Sequence, residues 1–328
     1  MQPLLQLENV PALKREVRAL AEEKNAVILA HNYQVPEIQD VADYTGDSLG
    51  LSRQAAATDA DAIVFCGVHF MAETAAILSP QTPVYIPDAD AGCSLADSIT
   101  ADQLRDWKKQ HPGAVVVMYV NTTAEVKAET DYCVTSSNAV EVVNHIYKTH
   151  GEDTEILFGP DMFLGSYVER MTGKRMKVWM GECHVHAGIR PMDIQKTWEE
   201  HQGADLLIHP ECGCSTSVME YAACGDIDAD NTYMLSTGGM IKHVDASPKD
   251  EFIVATETGM TYPLQKAHPD KKFIAANEQA VCQYMKMITL PKLRDCLRDM
   301  RADQRVTVDP EIAKRALVPI ERMVAVGG

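Results

Sequence analysis

Residues 209–217 read HPECGCSTS and place a histidine, a glutamate and two cysteines within six positions, the donor types of a metal site. A second set of donors is spread along the chain in phase. Cys93, Cys183 and Cys282 stand 90 and 99 residues apart (183−93, 282−183), while His31, Tyr119 and His209 stand 88 and 90 apart (119−31, 209−119). Ser48 follows His31 by 17 residues and Ser136 follows Tyr119 by 17, whereas Thr237 follows His209 by 28, an insertion of 11 in the third copy. Three lone thiolates brought together suit an iron–sulfur cubane, which takes one ligand per iron; three cysteines leave one iron open as a Lewis acid that assists loss of water. Zinc also accepts three thiolates and a water, but its structural sites favour close cysteine pairs. Taken singly, each cysteine reads equally as a small buried hydrophobe. Their common phase argues for a shared purpose.

A common phase requires a repeated unit to position these residues. Short apolar runs alternate with helical patterns, the signature of an α/β chain. The first copy runs AVILAH, PEIQDVAD, GDS opening SLGLSRQAAA, AIVFCG, HFMAETAAIL and VYIP before Cys93. The second runs AVVVMYV, AEVKAE, YCVTSS, NAVEVVNHIY, EILFG, DMFLGSYVERM and KVWMG before Cys183, and the third DLLIHPE, SVMEYAA, YMLSTGG, EFIVAT, YPLQKAH and KFIAA before Cys282. A further marker, Gly67, Gly159 and Glu257, precedes the cysteines by 26, 24 and 25 residues. The expected fold is therefore α/β, with three pseudo-symmetric repeats, each a small parallel β-sheet sandwiched by helices, around a central active site at the carboxyl ends of the strands. The expected boundaries are 1–98, 99–188 and 189–308. A helix over 309–326, with Asp309 as N-cap and Pro310 at N1, is expected to pack back on the first repeat and to carry no chemistry.

With 46% hydrophobic and 23% charged residues in 328, the composition is that of a soluble globular chain. The start MQPLLQLENVPALKREVRAL lacks the basic-then-apolar order of a secretion signal, and no run approaches the roughly 18 apolar residues of a membrane span, so a cytoplasmic address is expected. A net charge of −17 spread along the chain argues against nucleic acid or an anionic membrane as partner and leaves small molecules. Nine cysteines, an odd number, argue against a disulfide framework.

The stretches AHNYQVPEIQDVADYTGDSLGLSR, YVNTTAEVKA, VTSSNAVEVV, GECHVH, HPEC, STGGMIK and VCQYMKMITL together resemble the quinolinate synthase family of bacterial NAD biosynthesis, over roughly residues 8–325. The resemblance implies condensation of iminoaspartate with dihydroxyacetone phosphate to quinolinate, with loss of phosphate and water, on a [4Fe-4S] cluster. Its three cysteine ligands fall on Cys93, Cys183 and Cys282, the trio the repeat picks out independently. It also implies iminoaspartate supplied by L-aspartate oxidase or aspartate dehydrogenase. Substrate-binding positions map onto His31, Ser48, Tyr119, Asn121, Ser136, His209, Glu211 and Thr237, with Tyr33 and His186 as further active-site positions.

Both substrates are anionic, and Ser48, Ser136 and Thr237 each stand where a helix begins, able to cap it and to offer a hydroxyl beside free N–H groups to an anion. Glu211 is expected as general base, its pKa set by burial, with Tyr33, Tyr119 and His31 as proton donors, His209 at the strand end equivalent to His31, and Asn121 orienting the substrate. His184, Lys242, Cys66, Cys133, Cys224 and Cys296 are left out of the site. Cys212 and Cys214 stand out of phase with the other cysteines and are not expected as ligands. Another open-iron hydro-lyase, or an iron–sulfur redox or oxygen sensor, is the rival reading; a sensor would need a partner surface such as a basic helix-turn-helix, which the sequence does not show.

Overall fold

The computed structural model describes residues 9–224 and 229–326; the start of the chain, read above as lacking a signal, lies in its first eight positions outside the described residues. Twelve strands form three sheets of one design. β1 (Ala26–His31), β2 (Tyr44–Gly46), β3 (Ala62–Cys66) and β4 (Val84–Tyr85) lie in the order β2-β1-β3-β4. β5 (Val115–Tyr119), β6 (Tyr132–Val134), β7 (Ile156–Gly159) and β8 (Lys177–Val178) repeat that order, as do β9 (Asp205–Ile208), β10 (Thr232–Met234), β11 (Glu251–Ala255) and β12 (Lys272–Ala275). Every pairing among these twelve is parallel.

The central strands explain why. β1, β3, β5, β7 and β9 are buried at every position, so their continuous apolar runs need cover on both faces, which crossover helices supply. A two-residue strand, β13 (Arg305–Val306), adds antiparallel to β4; it is too short to leave a pattern in the sequence and was not expected.

The register fixes the phase of the repeats. Ala30 pairs with Cys66, Met118 with Gly159 and Ile208 with Ala255, so His31, Tyr119 and His209, each one residue further on, are equivalent as read from the sequence. The same pairings correct the further marker: the equivalent residues are Val68, Asp161 and Glu257, each two beyond the strand end, rather than Gly67, Gly159 and Glu257. Apolar spacing could not resolve a slip of one or two residues there. Much of the third copy's insertion is one element: the helix Ser215–Cys224 has 10 residues where its counterparts Pro36–Gln39 and Ala124–Lys127 have 4.

The terminal helix Pro310–Ala325 begins as expected, with Asp309 Oδ1 accepting from the amides of Glu311 and Ile312. It packs on helices Ser48–Ala57 and His69–Leu78 of the first repeat, but as closely on Ala124–Lys127 and β6 of the second. The helix thus reaches beyond the first repeat to the second: Asn138 Nδ2 donates to the carbonyls of Met323 and Val326, fastening the helix across the junction. No helix among the described residues is long and apolar enough to cross a membrane.

Candidate functional site

All thirteen residues singled out in the sequence line one pocket: His31, Tyr33, Ser48, Cys93, Tyr119, Asn121, Ser136, Cys183, His186, His209, Glu211, Thr237 and Cys282. Its open space, mouth included, is about 730 Å³. Each repeat contributes a strand end, a helix start and a cysteine.

At the strand ends the backbone sets the histidine tautomers. The Tyr33 amide donates to His31 Nδ1 at 3.2 Å and the Glu211 amide donates to His209 Nδ1 at 3.4 Å, two residues on in each case. An Nδ1 that accepts leaves the proton on Nε2, so each neutral ring presents an Nε2–H; that of His209 donates to Ser136 Oγ at 3.1 Å. Burial lowers both imidazoles, His31 to about 3 and His209 to about 4, so both are neutral at physiological pH. A neutral Nε2–H polarises an oxygen but is a poor proton source. The expectation that His31 hands over a proton is corrected to that extent.

Glu211 stands at the centre, its side chain 4% exposed. Tyr119 Oη donates to its Oε1, and His186 Nδ1 lies 3.2 Å from its Oε2. Burial would raise this carboxyl, but His209, His186 and the hydrogen bonds from His186 and Tyr119 outweigh it and hold it down at about 2. Burial alone therefore does not set its pKa: its partners favour the ionised form, a hydrogen-bond acceptor. Burial and Glu211 raise Tyr119, and burial raises Tyr33, so both phenols remain protonated donors. Tyr33 Oη meets Thr256 Oγ1 at 2.6 Å and His186 Nε2 meets the same hydroxyl at 2.8 Å, a contact that no motif in the sequence indicated. Asn121 Oδ1 is buried without a partner among the described residues, an acceptor left for a ligand.

At the helix starts the caps are not the residues expected. Asp47 Oδ1 accepts from the Gly50 amide and Ser236 Oγ from the Gly239 amide, while Thr135 Oγ1 accepts from the Ser137 amide. Ser48 and Thr237 each stand one residue further in, at N1, while Ser136 lies in the turn before the helix Ala139–His150, whose N-cap is Asn138, so capping does not use their hydroxyls. Asp47 is an acid at this otherwise anion-friendly junction. Its Oδ2 accepts from Ser137 Oγ at 3.0 Å, and a Cβ at Gly238 would come within 2.8 Å of it, so glycine there permits the close approach.

At the cysteines, Cys93, Cys183 and Cys282 are free thiols that open one helical turn each: their carbonyls accept from the amides of Asp97, Ala187 and Lys286, four residues on. The Cys93 sulfur faces the amides of Ala96 and Leu95, and the Cys282 sulfur those of Met285 and Tyr284. Burial, with Cys183 close by, raises the thiols of Cys93 and Cys282, a penalty that a thiolate-bound metal removes. The donor set thus fits a metal centre. Cys183 Sγ also lies with His186 and Glu211 in a group whose ligand atoms fall within 4.8 Å of one another, so this corner too could hold a metal ion.

The opening HPECGCSTS resolves differently. Cys212 and Cys214 are fully buried and joined by a disulfide with Cα atoms 5.2 Å apart, a local pairing that the argument against a disulfide framework did not anticipate, and this leaves neither sulfur as a ligand. Cys66, Cys133 and Cys296 are buried in the core, and Lys242 is exposed away from the pocket, as read. His184 was left out yet lines the pocket, its Nδ1 2.6 Å from Ser94 Oγ. Ser94 and His184 follow Cys93 and Cys183 directly, so the repeat itself was the signal that could have found them.

Strand-end donors, helix starts and thiols gathered from three α/β repeats define an enzyme pocket for a small molecule, with ligands for a metal at one end. Over residues 15–325 the chain matches the family described as Quinolinate synthetase A protein, and it belongs to that family. It is 56% identical over 313 residues to the quinolinate synthase of Mycobacterium sp. (strain KMS), covering 95% of this chain and 91% of that protein. It is 54% identical to that of Mycobacterium tuberculosis (strain ATCC 25618 / H37Rv), covering 95% and 88%.

Proposed function

We propose that this chain condenses iminoaspartate with dihydroxyacetone phosphate to quinolinate, with loss of phosphate and water, in the cytoplasm, and that Cys93, Cys183 and Cys282 hold a [4Fe-4S] cluster with one open iron. The observation that carries this reading is the meeting of the three repeat cysteines with the hydroxyls of Ser48, Ser136 and Thr237, one from each repeat, in one pocket. Each expected repeat, 1–98, 99–188 and 189–308, contributes one of each. When bound, the cluster supplies a Lewis acid for loss of water.

The chain's own residues do the rest. Ser48, Ser136 and Thr237 bind phosphate or carboxylate with their hydroxyls, those of Ser48 and Thr237 set at helix starts, where roughly half a positive charge offsets the negative protein. His31 and His209 polarise substrate oxygens through Nε2–H. Tyr119 and Tyr33 are the protonated groups that can release a proton to a leaving oxygen, Glu211 holding Tyr119 in place. Asn121 orients the imine or a carboxylate through its amide, and His186 bridges Glu211 and the Cys183 corner. Iminoaspartate, being supplied by oxidation of aspartate, would arrive as a diffusing small molecule.

The test is an anaerobic assay of iron-loaded protein with iminoaspartate and dihydroxyacetone phosphate, following quinolinate. Formation that needs both substrates is expected. A chain that carries four irons and makes no quinolinate would sink the reaction, and one that retains only zinc would sink the cluster.

A further inference from the structure

Because each cysteine opens a helical turn, its own amide is one of the unpaired donors of a helix start. The three repeats treat that amide differently. All three share a backbone tie: the amides of His69, Met162 and Thr258 donate to the carbonyls of Ala91, Gly181 and Ala280, two residues before each cysteine, at 2.8, 2.8 and 2.9 Å. In the second repeat Asp161 Oδ2 also accepts from the Cys183 amide at 3.2 Å, and in the third Glu257 Oε1 accepts from the Cys282 amide at 3.1 Å. Both carboxylates are fully buried, and each uses its other oxygen to cap its own element: Asp161 Oδ1 accepts from Phe163 and Leu164, Glu257 Oε2 from Gly259. The equivalent residue of the first repeat is Val68, which has nothing to accept with.

We infer that Asp161 and Glu257 are positioning residues for the metal-binding thiols, clamping the backbones of Cys183 and Cys282 while Cys93 is held by backbone alone. The two clamps also differ from each other. Glu257 is paired with Lys286 Nζ at 2.9 Å, and Lys286 donates in turn to the Tyr33 carbonyl, so this clamp joins the Cys282 turn to the loop that carries Tyr33. Asp161 has no cation partner among the described residues and depends on its three amide donors. Carboxylates that fix ligand geometry from behind typically change metal retention by 10–100-fold when removed.

The inference rests on the cluster reading above, and the experiment separates the two. Wild type, Asp161→Asn, Glu257→Gln and Glu257→Asp are reconstituted anaerobically, and iron and sulfide per chain, the visible absorption of the cluster and the rate of iron loss to a chelator are measured. Melting of each metal-free chain reports folding. Asp161→Asn and Glu257→Gln are expected to fold and take up iron but to lose it at least about tenfold faster than wild type; Glu257→Asp, which keeps the charge but shortens the reach, is expected to fall between. If Asp161→Asn does not fold, the Glu257 pair decides, since that cap serves only a three-residue turn. Wild-type rates in Glu257→Gln, with iron intact, overturn the inference and leave the cluster reading standing. A wild-type chain that takes up no iron and sulfide overturns both.

Discussion

The neutrality of His31 and His209 predicts a proton count that can be measured. Both imidazoles are lowered by burial, to about 3 and about 4, whereas in an unfolded chain each titrates near 6.5. For such groups the stabilisation is complete above pH 6.5 and is lost as pH falls, because the unfolded chain gains protons that the fold refuses. At pH 5.5 each unfolded imidazole is about 0.9 protonated and each folded one almost bare, so unfolding takes up about 1.8 protons from this pair. Asp161 acts in the opposite sense: burial and the nearby Glu211 raise it to about 7, so the fold holds about one proton that the unfolded chain releases. His186, raised by Tyr33, Cys183 and Glu211 despite burial, is charged in both states at this pH, and Glu211, held at about 2, is ionised in both. The net slope from these groups therefore grows from about 0.2 proton at pH 6.5 to about 0.9 at pH 5, or from about 0.3 to about 1.2 kcal/mol of stability lost per pH unit.

The variant that isolates the pair is His31→Asn with His209→Asn, since an asparagine oxygen can still accept the Tyr33 and Glu211 amides. Wild type and variant are unfolded in guanidinium at pH 5.5 in a pH-stat, and the acid consumed is compared. Protons taken up by thiolates released from any metal cancel in the difference. The variant is expected to take up about 1.8 protons fewer. A difference below about half a proton would mean that the folded imidazoles already carry charge, and the Nε2–H assignment would fall with it.

Three further outcomes follow from the same geometry. Glu211→Gln removes the acceptor of Tyr119 and the partner of His186 and is expected to keep its iron while kcat for quinolinate falls about 100-fold or more; near-normal turnover would remove Glu211 from the reaction. Cys212→Ser with Cys214→Ser is expected to leave iron and sulfide per chain unchanged, because the disulfide already withholds both sulfurs; loss of iron would return HPECGCSTS to the metal centre. Gly159→Ala places a Cβ 2.4 Å from that of Trp179 and is expected to cost about 1–3 kcal/mol in a denaturant melt, with no effect if β7 and Trp179 do not pack as described.

Much of the architecture was legible because buried parallel strands advertise themselves: AVILA, AVVVM and LLI are apolar throughout, and three copies in phase are hard to mistake. The pocket residues were legible for the same reason, since a polar residue ending such a run must face the carboxyl side of its sheet. What stayed hidden was of three kinds. β13 pairs two residues, fewer than any periodicity needs. The terminal helix bridges two repeats through Asn138, a contact across 185 and 188 positions that no local pattern encodes. The protonation of Glu211 depends on His209 and on His186 and Tyr119, the last two reaching it from the second repeat, so burial alone gave the wrong sign.

The caps show how a one-residue distinction changes chemistry. GDS, TSS and STG each read as a helix start whose Ser or Thr closes the first turn. Had Ser48 and Thr237 been the caps, their oxygens would be accepting backbone N–H and would have little left for a ligand. With Asp47 and Ser236 taking that duty, Ser48 lines the pocket with a hydroxyl that capping does not use, and Thr237 adds a hydroxyl already steadied by Asn32 Nδ2 at 3.0 Å. The repeat therefore supplies its polar lining by placing two polar residues in succession, one to close the helix and one to leave open. In the first and third copies the closing residue is Asp47 or Ser236, types that are interchangeable as caps and so leave no fixed residue to find by spacing.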